Sequence, residues 1–375
     1  MREPRRLRGH RDTVTCCIAS RDRPGLVVTS SEDGCICWFD MRCKDAALTL
    51  DAFQNPISSL CFKAGNEDVI YASSGTEVKC FDVHLPSSWK PLESYSYNKE
   101  EINQVVCNSK SSFLASADDG GDVRIIDIHQ QCLYKTLRAG HSSICSSVQF
   151  LPWRPWAVIT GGLDSKLVMW DFSKARPDKV IDFGTPNTEI CGNAGQFLNP
   201  AFIHAIAVPD VDMVDRTGKV CVVGRGDGIV DVIHTELEIA ASKSRKSKKH
   251  HQESRLRSSV GASNSDAQSS CQNETKRLLL DYSYGGHGAA VCCVEFSLFG
   301  EKGKFIISGA NDKFVKVWDL PRCVNTIQSG SSPGEGLCKD ITLTKKVNWL
   351  CTTPCNSENL VICDTTKVVK VYTVS

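Results

Sequence analysis

The sequence predicts an all-β chain closed into a seven-bladed propeller, and three observations carry that prediction. First, a segment opening on Gly-His and closing on an aromatic-Asp pair occurs three times. The copies run from Gly9-His10 to Phe39-Asp40, from Gly140-His141 to Trp170-Asp171 and from Gly286-His287 to Trp318-Asp319. The His-to-Asp separation is 30, 30 and 32 residues. Second, the stretches between and after these copies hold four weaker ones. Third, the final copy stops after its third strand-like run, while the chain opens with a short run containing Arg5-Arg6-Leu7. A fixed period of about 40 residues signals stacked repeats, each too small to bury its own apolar face. Placing the N-terminal run in the last unit leaves no open edge between first and last repeats.

The weaker copies are read from short apolar runs bounded by turn residues, with no 3.6-residue periodicity. Unit two contains Ile57–Phe62 and Val78–Asp82, unit three Phe113–Gly120 and Val123–Asp127. Unit five contains His204, Gly226-Asp-Gly228 and Ile229–Ile233, unit seven Val347–Leu350, Asp364 and Val368–Tyr372. The expected blades are 9–50, 53–94, 98–137, 140–182, 201–283, 286–328, and 341–375 with 2–8, all in one domain.

The Gly-His to Trp-Asp spacing resembles the WD40-repeat family. It implies a seven-bladed WD40 β-propeller closed by the N-terminal strand joining the last blade. Within the three strong copies a polar set recurs: His10, Thr29 and Asp33; His141, Thr160, Asp164 and Trp170; His287, Ser308, Asp312 and Trp318. The hydroxyl lies four residues before the Asp each time. These sets resemble the family's structural tetrads, in which indole, hydroxyl, imidazole and carboxylate satisfy one another in series. Phe39 stands where Trp is expected, so the first chain is shorter. Unit three reads with Ala115 at the hydroxyl position and no His, so it is expected to rely on apolar packing. A Ser/His/Asp grouping also fits a hydrolase. Threefold recurrence and the missing Gly-x-Ser-x-Gly elbow favour structure.

The composition is that of an ordinary globular chain of 375 residues, 41% hydrophobic and 23% charged. With 44 Lys plus Arg against 43 Asp plus Glu, no overall basic coat exists, and nucleic acid is not an expected partner for the chain as a whole. No apolar run nears the roughly 18 residues of a membrane helix, and no secretory signal follows the basic start. The 20 cysteines include no Cys-x-x-Cys pair, which argues against the usual zinc spacing. Twelve of them (Cys16, Cys17, Cys35, Cys37, Cys61, Cys80, Cys107, Cys145, Cys221, Cys292, Cys293 and Cys363) fall in expected strands, as small apolar residues in a reducing compartment. No cofactor or metal is expected. No phosphate loop or nucleophile–base signature appears, so the expected function is non-enzymatic.

Two stretches interrupt the period. Residues 174–199, rich in Pro and Gly, read as an irregular connection after blade four. Residues 241–273 carry a basic tract with Lys243, Arg245, Lys246, Lys248 and Lys249, then a Ser/Asn/Gln-rich run expected to be disordered. The tract fits a nuclear-localisation segment, a nucleic-acid contact or a solvated loop, and the expected location is nucleus, cytoplasm or both. Trp153 and Trp156 flank Arg154-Pro155 in a turn of blade four and are expected to be packed.

Glu101–Asn103, Leu114–Asp119, His141–Ser147, Lys174–Pro177, Leu198–Ala201 and Lys346–Leu350 resemble a narrower WD40-repeat group. That group is similar to substrate receptors docking on the β-propeller adaptor of cullin-4 RING ubiquitin ligases. The resemblance implies a docking box over residues 27–42: Val27, Val28, Thr29, Ser30, Ser31, Asp33, Ile36, Asp40 and Arg42 match, while Trp38 and Phe39 depart. The equivalent of Arg42 is His84, His129, Ser173 and Pro321 in blades two, three, four and six. Asp40 and Arg42 are thus the expected contacts to the adaptor, against the plainer reading of an exposed Arg after a strand. The expected role is a substrate-recruiting scaffold, a monomeric propeller with an unknown client. The alternative is a nuclear chromatin or ribonucleoprotein platform without a ligase role.

Overall fold

The computed structural model describes residues 3–84, 90–184, 199–242, 277–329 and 336–374. Their strands form seven four-stranded antiparallel sheets, and the fold is the expected seven-bladed propeller. In six blades the four strands follow chain order. In the seventh, Val347–Thr352, Leu360–Asp364 and Val369–Tyr372 are completed by Arg5–Leu7 from the start of the chain. Arg5, Arg6 and Leu7 pair with Val371, Lys370 and Val369. Leu7 is fully buried against Val14, Val369 and Val371. Burial of such a side chain is worth about 1.5–3 kcal/mol, so this closing strand is fastened by its core contact. Arg5 adds an ion pair to Glu358 at 2.7 Å and a hydrogen bond to the Cys43 carbonyl at 3.0 Å.

The first strands of the blades are Val14–Ala19, Ser59–Lys63, Ile102–Cys107, Cys145–Phe150, Ile203–Ala207, Val291–Phe296 and Val347–Thr352. Each touches the first strands of both neighbouring blades, and the last touches the first. They therefore ring a central axis. Six of them carry a register shift near their start, which leaves one residue unpaired. Four of those bulge residues stitch the ring. Thr15, Asn103, Ser146 and Asn348 donate to the carbonyls of Ile57, Cys145, Ile203 and Val14 on the next blade, at 2.6, 3.2, 2.5 and 3.0 Å. Between blades, Val, Ile, Leu and Cys side chains fill the gaps from both faces. Cys16, Cys17, Cys145, Cys221 and Cys363 are fully buried there. Such small, soft side chains fit closely packed sheets. None of the described cysteines is in a disulfide.

Two connections differ from expectation. Blade six was expected to end by 328, but residues Leu320–Ser329 form a helix and the fourth strand is Leu337–Thr342. The cause is local: the Asp319 carboxylate accepts the Arg322 N–H at 3.0 Å, capping a helix with Pro321 in its first turn. In the stretch read as irregular after residue 174, Arg176–Asp182 is the outer strand of blade four. Pro177 is tolerated there because an outer strand needs no outward N–H bond. Residues 235–242 are helical at the start of the basic insertion, whose other described end is the outer strand Leu278–Leu280 of blade five. Lys243, Arg245, Lys246, Lys248 and Lys249 lie outside the described residues.

Candidate functional site

Blade four assembles its predicted chain completely. The Trp170 indole N–H donates to Thr160 Oγ1 at 2.9 Å, and Thr160 Oγ1 meets His141 Nε2 at 2.8 Å. His141 Nδ1 lies 3.0 Å from Asp164 Oδ1, and Asp164 Oδ2 accepts the Ser142 N–H at 3.0 Å. An indole can only donate, so the hydroxyl passes its own proton to Nε2 and Nδ1 carries the hydrogen toward Asp164. This is a neutral imidazole. Burial accordingly pushes His141 below its ordinary value, outweighing the pull of Asp164. Burial pushes Asp164 up, but hydrogen bonds from His141 and the Ser142 N–H outweigh it and hold the carboxyl below its ordinary range. Two glycines make room. A Cβ at Gly140 would lie 2.1 Å from the Trp170 ring, and one at Gly162 would lie 2.6 Å from His141 Nδ1.

Blade six repeats the chain: Trp318 to Ser308 at 3.0 Å, Ser308 to His287 at 2.8 Å, His287 to Asp312 at 3.0 Å. Blade one keeps His10 Nε2 on Thr29 Oγ1 at 2.7 Å, but His10 Nδ1 stands 3.5 Å from Asp33. Phe39 fills the indole space and donates nothing, as the sequence indicates. The three imidazole side chains have no exposed surface, so no substrate can reach them.

The reading of blade three is corrected. Strand register sets Ser116 opposite Arg124, as Thr160 is opposite Val168, so Ser116 and not Ala115 holds the hydroxyl position. Ser116 Oγ donates to Asn98 Oδ1 at 2.7 Å, and Asn98 Nδ2 donates to Asp118 at 3.0 Å. An Asn thus does the work of the His, and the carboxylate comes from the position held by Gly162 in blade four. Arg124, 3% exposed, lies 3.0 Å from Asp122 and 3.9 Å from Asp118. The available signal was an Asn preceding a strand hydroxyl by nearly the His-to-Thr spacing. Blade seven uses the same carboxylate position: buried Asp364 binds Lys370 and the Thr366 hydroxyl.

The 27–42 segment, which also carries Thr29 and Asp33, is a strand-turn-strand whose side chains are mostly internal. Val27, Val28, Thr29, Ser30, Ser31, Ile36 and Phe39 are fully buried and Trp38 nearly so. Their type is therefore fixed by packing in blade one and against blades two and seven. Glu32 at the turn and Arg42 at the end are exposed, Arg42 with its side chain 89% exposed. Its Nε and Nη2 straddle the two Asp40 oxygens at 2.5–3.0 Å. That fork draws the Asp40 carboxyl down to about 2. In blade six the corresponding arginine is displaced: Arg322 sits in the helix, with Nε 3.7 Å from Asp319.

Trp153 is packed as expected, against the core between blades four and five. Trp156 is not: it is 46% exposed, stacked on Tyr134 and tilted against Phe113 and Phe172. No group of three or more His, Cys, Asp or Glu among the described residues is arranged to hold a metal ion. No described helix is long and apolar enough to cross a membrane.

The sequence pattern of the WD domain, G-beta repeat matches residues 1–40, 131–171 and 280–319, which end at the aromatic-Asp pairs of the three His-bearing blades. The chain carries WD40 repeats. Among its relatives, the WD repeat-containing protein 53 homolog of Dictyostelium discoideum is 27% identical over 60% of this chain and 63% of its own. The WD repeat domain-containing protein 83 homolog of the same organism is 28% identical over 40% of this chain and 44% of its own. Protein NEDD1 of Mus musculus is 30% identical over 22% of this chain and 12% of its own. The chain therefore spans less than two thirds of the length of each. The WD40 repeats suggest a protein-interaction scaffold.

Proposed function

We propose that this scaffold recruits clients to a cullin-4 RING ubiquitin ligase, docking on the ligase's β-propeller adaptor through blade one. The observation that carries the reading is Arg42. In a box committed mostly to the core, it is an exposed side chain pre-shaped by Asp40. A fixed guanidinium loses little conformational freedom on meeting a carboxylate or carbonyl of a partner. The client would occupy another part of the ring, where loops vary without cost to the sheets. Affinity purification from cells tests the proposal. Arg42→Ala and Arg42→Asp should each lose the adaptor while leaving the melting temperature unchanged, because the Arg42 side chain is 89% exposed and its ion pair with Asp40 lies outside the core. Unaltered recovery of the adaptor with both variants would refute the assignment.

A further inference from the structure

A cavity of about 390 Å³ opens between blades six and seven, on the side of the ring that carries the loops between first and second strands. Its floor is apolar: Phe299, Phe305, Val317 and Val374 line it, and all four belong to the core between these two blades or pack against it. The Phe299 and Phe305 rings stack with centroids 5.9 Å apart. Around that floor stand three cations, Lys304, Arg322 and Lys339. Asp319 is the one carboxylate among the described lining residues.

Local structure puts each cation there. The Asp319-capped helix Leu320–Ser329 carries Arg322 to the cavity wall. In the outer strand Leu337–Thr342, Leu337 pairs with Trp318 and Lys339 with Val317, so Cys338 between them is a bulge and Lys339 sits beside the floor. Lys304 ends the turn before the second strand, its Nζ 5.6 Å from the centre of the Phe305 ring. The contacts these cations make within the chain are loose. Arg322 Nε stands 3.7 Å from Asp319, Lys304 Nζ stands 3.7 Å from Glu301, and Lys339 Nζ reaches the Thr373 carbonyl only at 3.4 Å. Charge-assisted hydrogen bonds close to about 2.7–2.9 Å, so all three donors have a stronger contact to gain from an incoming carboxylate.

We propose that this cavity binds a short acidic segment of a partner protein, with one large apolar side chain on the Phe299–Phe305 floor and flanking Asp or Glu residues on Lys304, Arg322 and Lys339. Charge complementarity selects the occupant. Three cations against Asp319 leave two positive charges in excess at the rim, which a neutral or basic segment would not offset. An inorganic anion would offset them but leave the apolar floor in water, whereas an acidic segment with an apolar anchor satisfies both. The volume lies within the range of about 300–1,000 Å³ typical of ligand pockets, and holds one aromatic or leucine side chain with its neighbours at the rim. Arg42 belongs to blade one and lines no part of the cavity, so this proposal does not rest on the docking reading.

Selection of a phage-displayed random dodecapeptide library on the full-length protein tests this. The enriched peptides should carry Asp or Glu on both sides of a large apolar residue. Synthetic copies should bind Arg322→Glu and Lys339→Glu about tenfold more weakly than the wild type, at unchanged melting temperature, and should bind Arg42→Asp as tightly as the wild type. The bound peptide should protect Cys338, which lines the cavity, from iodoacetamide and leave the exposed Cys43 of blade one reactive. No enriched family, enrichment of neutral or basic peptides, or equal affinity for the charge-reversed variants would overturn the proposal. Equal protection of Cys338 by decanoate alone would also overturn it, by assigning the cavity to a small amphiphile.

Discussion

Blades three and four put a hydroxyl at the same register position, Ser116 and Thr160, yet they build opposite electrostatic cores around it. Blade four uses a neutral imidazole and keeps its carboxylate at the turn, where backbone and imidazole donors hold Asp164 ionised. Blade three moves the carboxylate inward to Asp118, where burial pushes it up despite Asn98 and the Asp122 N–H. It then needs the buried cation Arg124 to balance the site. The same backbone thus accepts a hydrogen-bond relay or a buried charge network. The difference is the side chain two residues after the hydroxyl: Gly162 leaves space for His141, while Asp118 fills it.

That contrast can be broken most severely at the cation. Arg124→Met should destabilise the protein by about 3–5 kcal/mol, because it leaves the buried Asp118 carboxylate without its cation. Adding Asp118→Asn should recover much of the loss in a urea titration; a double variant no better than the single would mean that Arg124 acts by packing alone. Thr160→Val should cost about 2 kcal/mol, since it unpairs both the Trp170 indole and His141 Nε2. Ser116→Ala should cost about 1 kcal/mol, because its hydroxyl serves Asn98. Equal losses at the two hydroxyls would erase the distinction between the blades.

The smallest effect is one of pH sign. Asp164 is held low, so its contribution is present above the ordinary carboxylate pKa and is lost as pH falls through its folded value. His141 acts in the same direction at higher pH: it favours the neutral form, and stability declines as pH falls below the ordinary imidazole value. Asp118 is held high, so its contribution is fully present below the ordinary carboxylate pKa and declines as pH rises through its folded value. Between neutral and acidic pH, Asp164→Asn should flatten the acid loss and Asp118→Asn should deepen it. Thermal melts across pH 3–7 would read both slopes, and slopes of one sign would contradict the assignment.

The ring and its closure were legible because they rest on periodicity and on a missing strand, both of which are countable along the chain. The tetrads of blades four and six were legible because His, Ser/Thr, Asp and Trp recur at fixed spacing. Blade three escaped because its substitute partners, Asn98 and Asp118, are common turn residues, and only strand register shows that Ser116 aligns with Thr160. The helix of blade six was signalled by Asp319 ahead of Pro321, but the periodic pattern overrode that cap. The Arg21–Asp210 ion pair, between the loops that follow the first strands of blades one and five, had no sequence signal at all, since 189 positions of chain separate the two residues and only closing the ring brings them together. At Arg42 the box pattern overstated its specificity, because most of its matching positions are core requirements of any such hairpin.

The central claim is that blade one, through Arg42, docks the ligase adaptor. Titration of purified adaptor with wild type, Arg42→Ala and Arg322→Ala decides it. Loss of binding of at least tenfold in Arg42→Ala, with Arg322→Ala unchanged, is the predicted result. Equal affinity for all three proteins would contradict it.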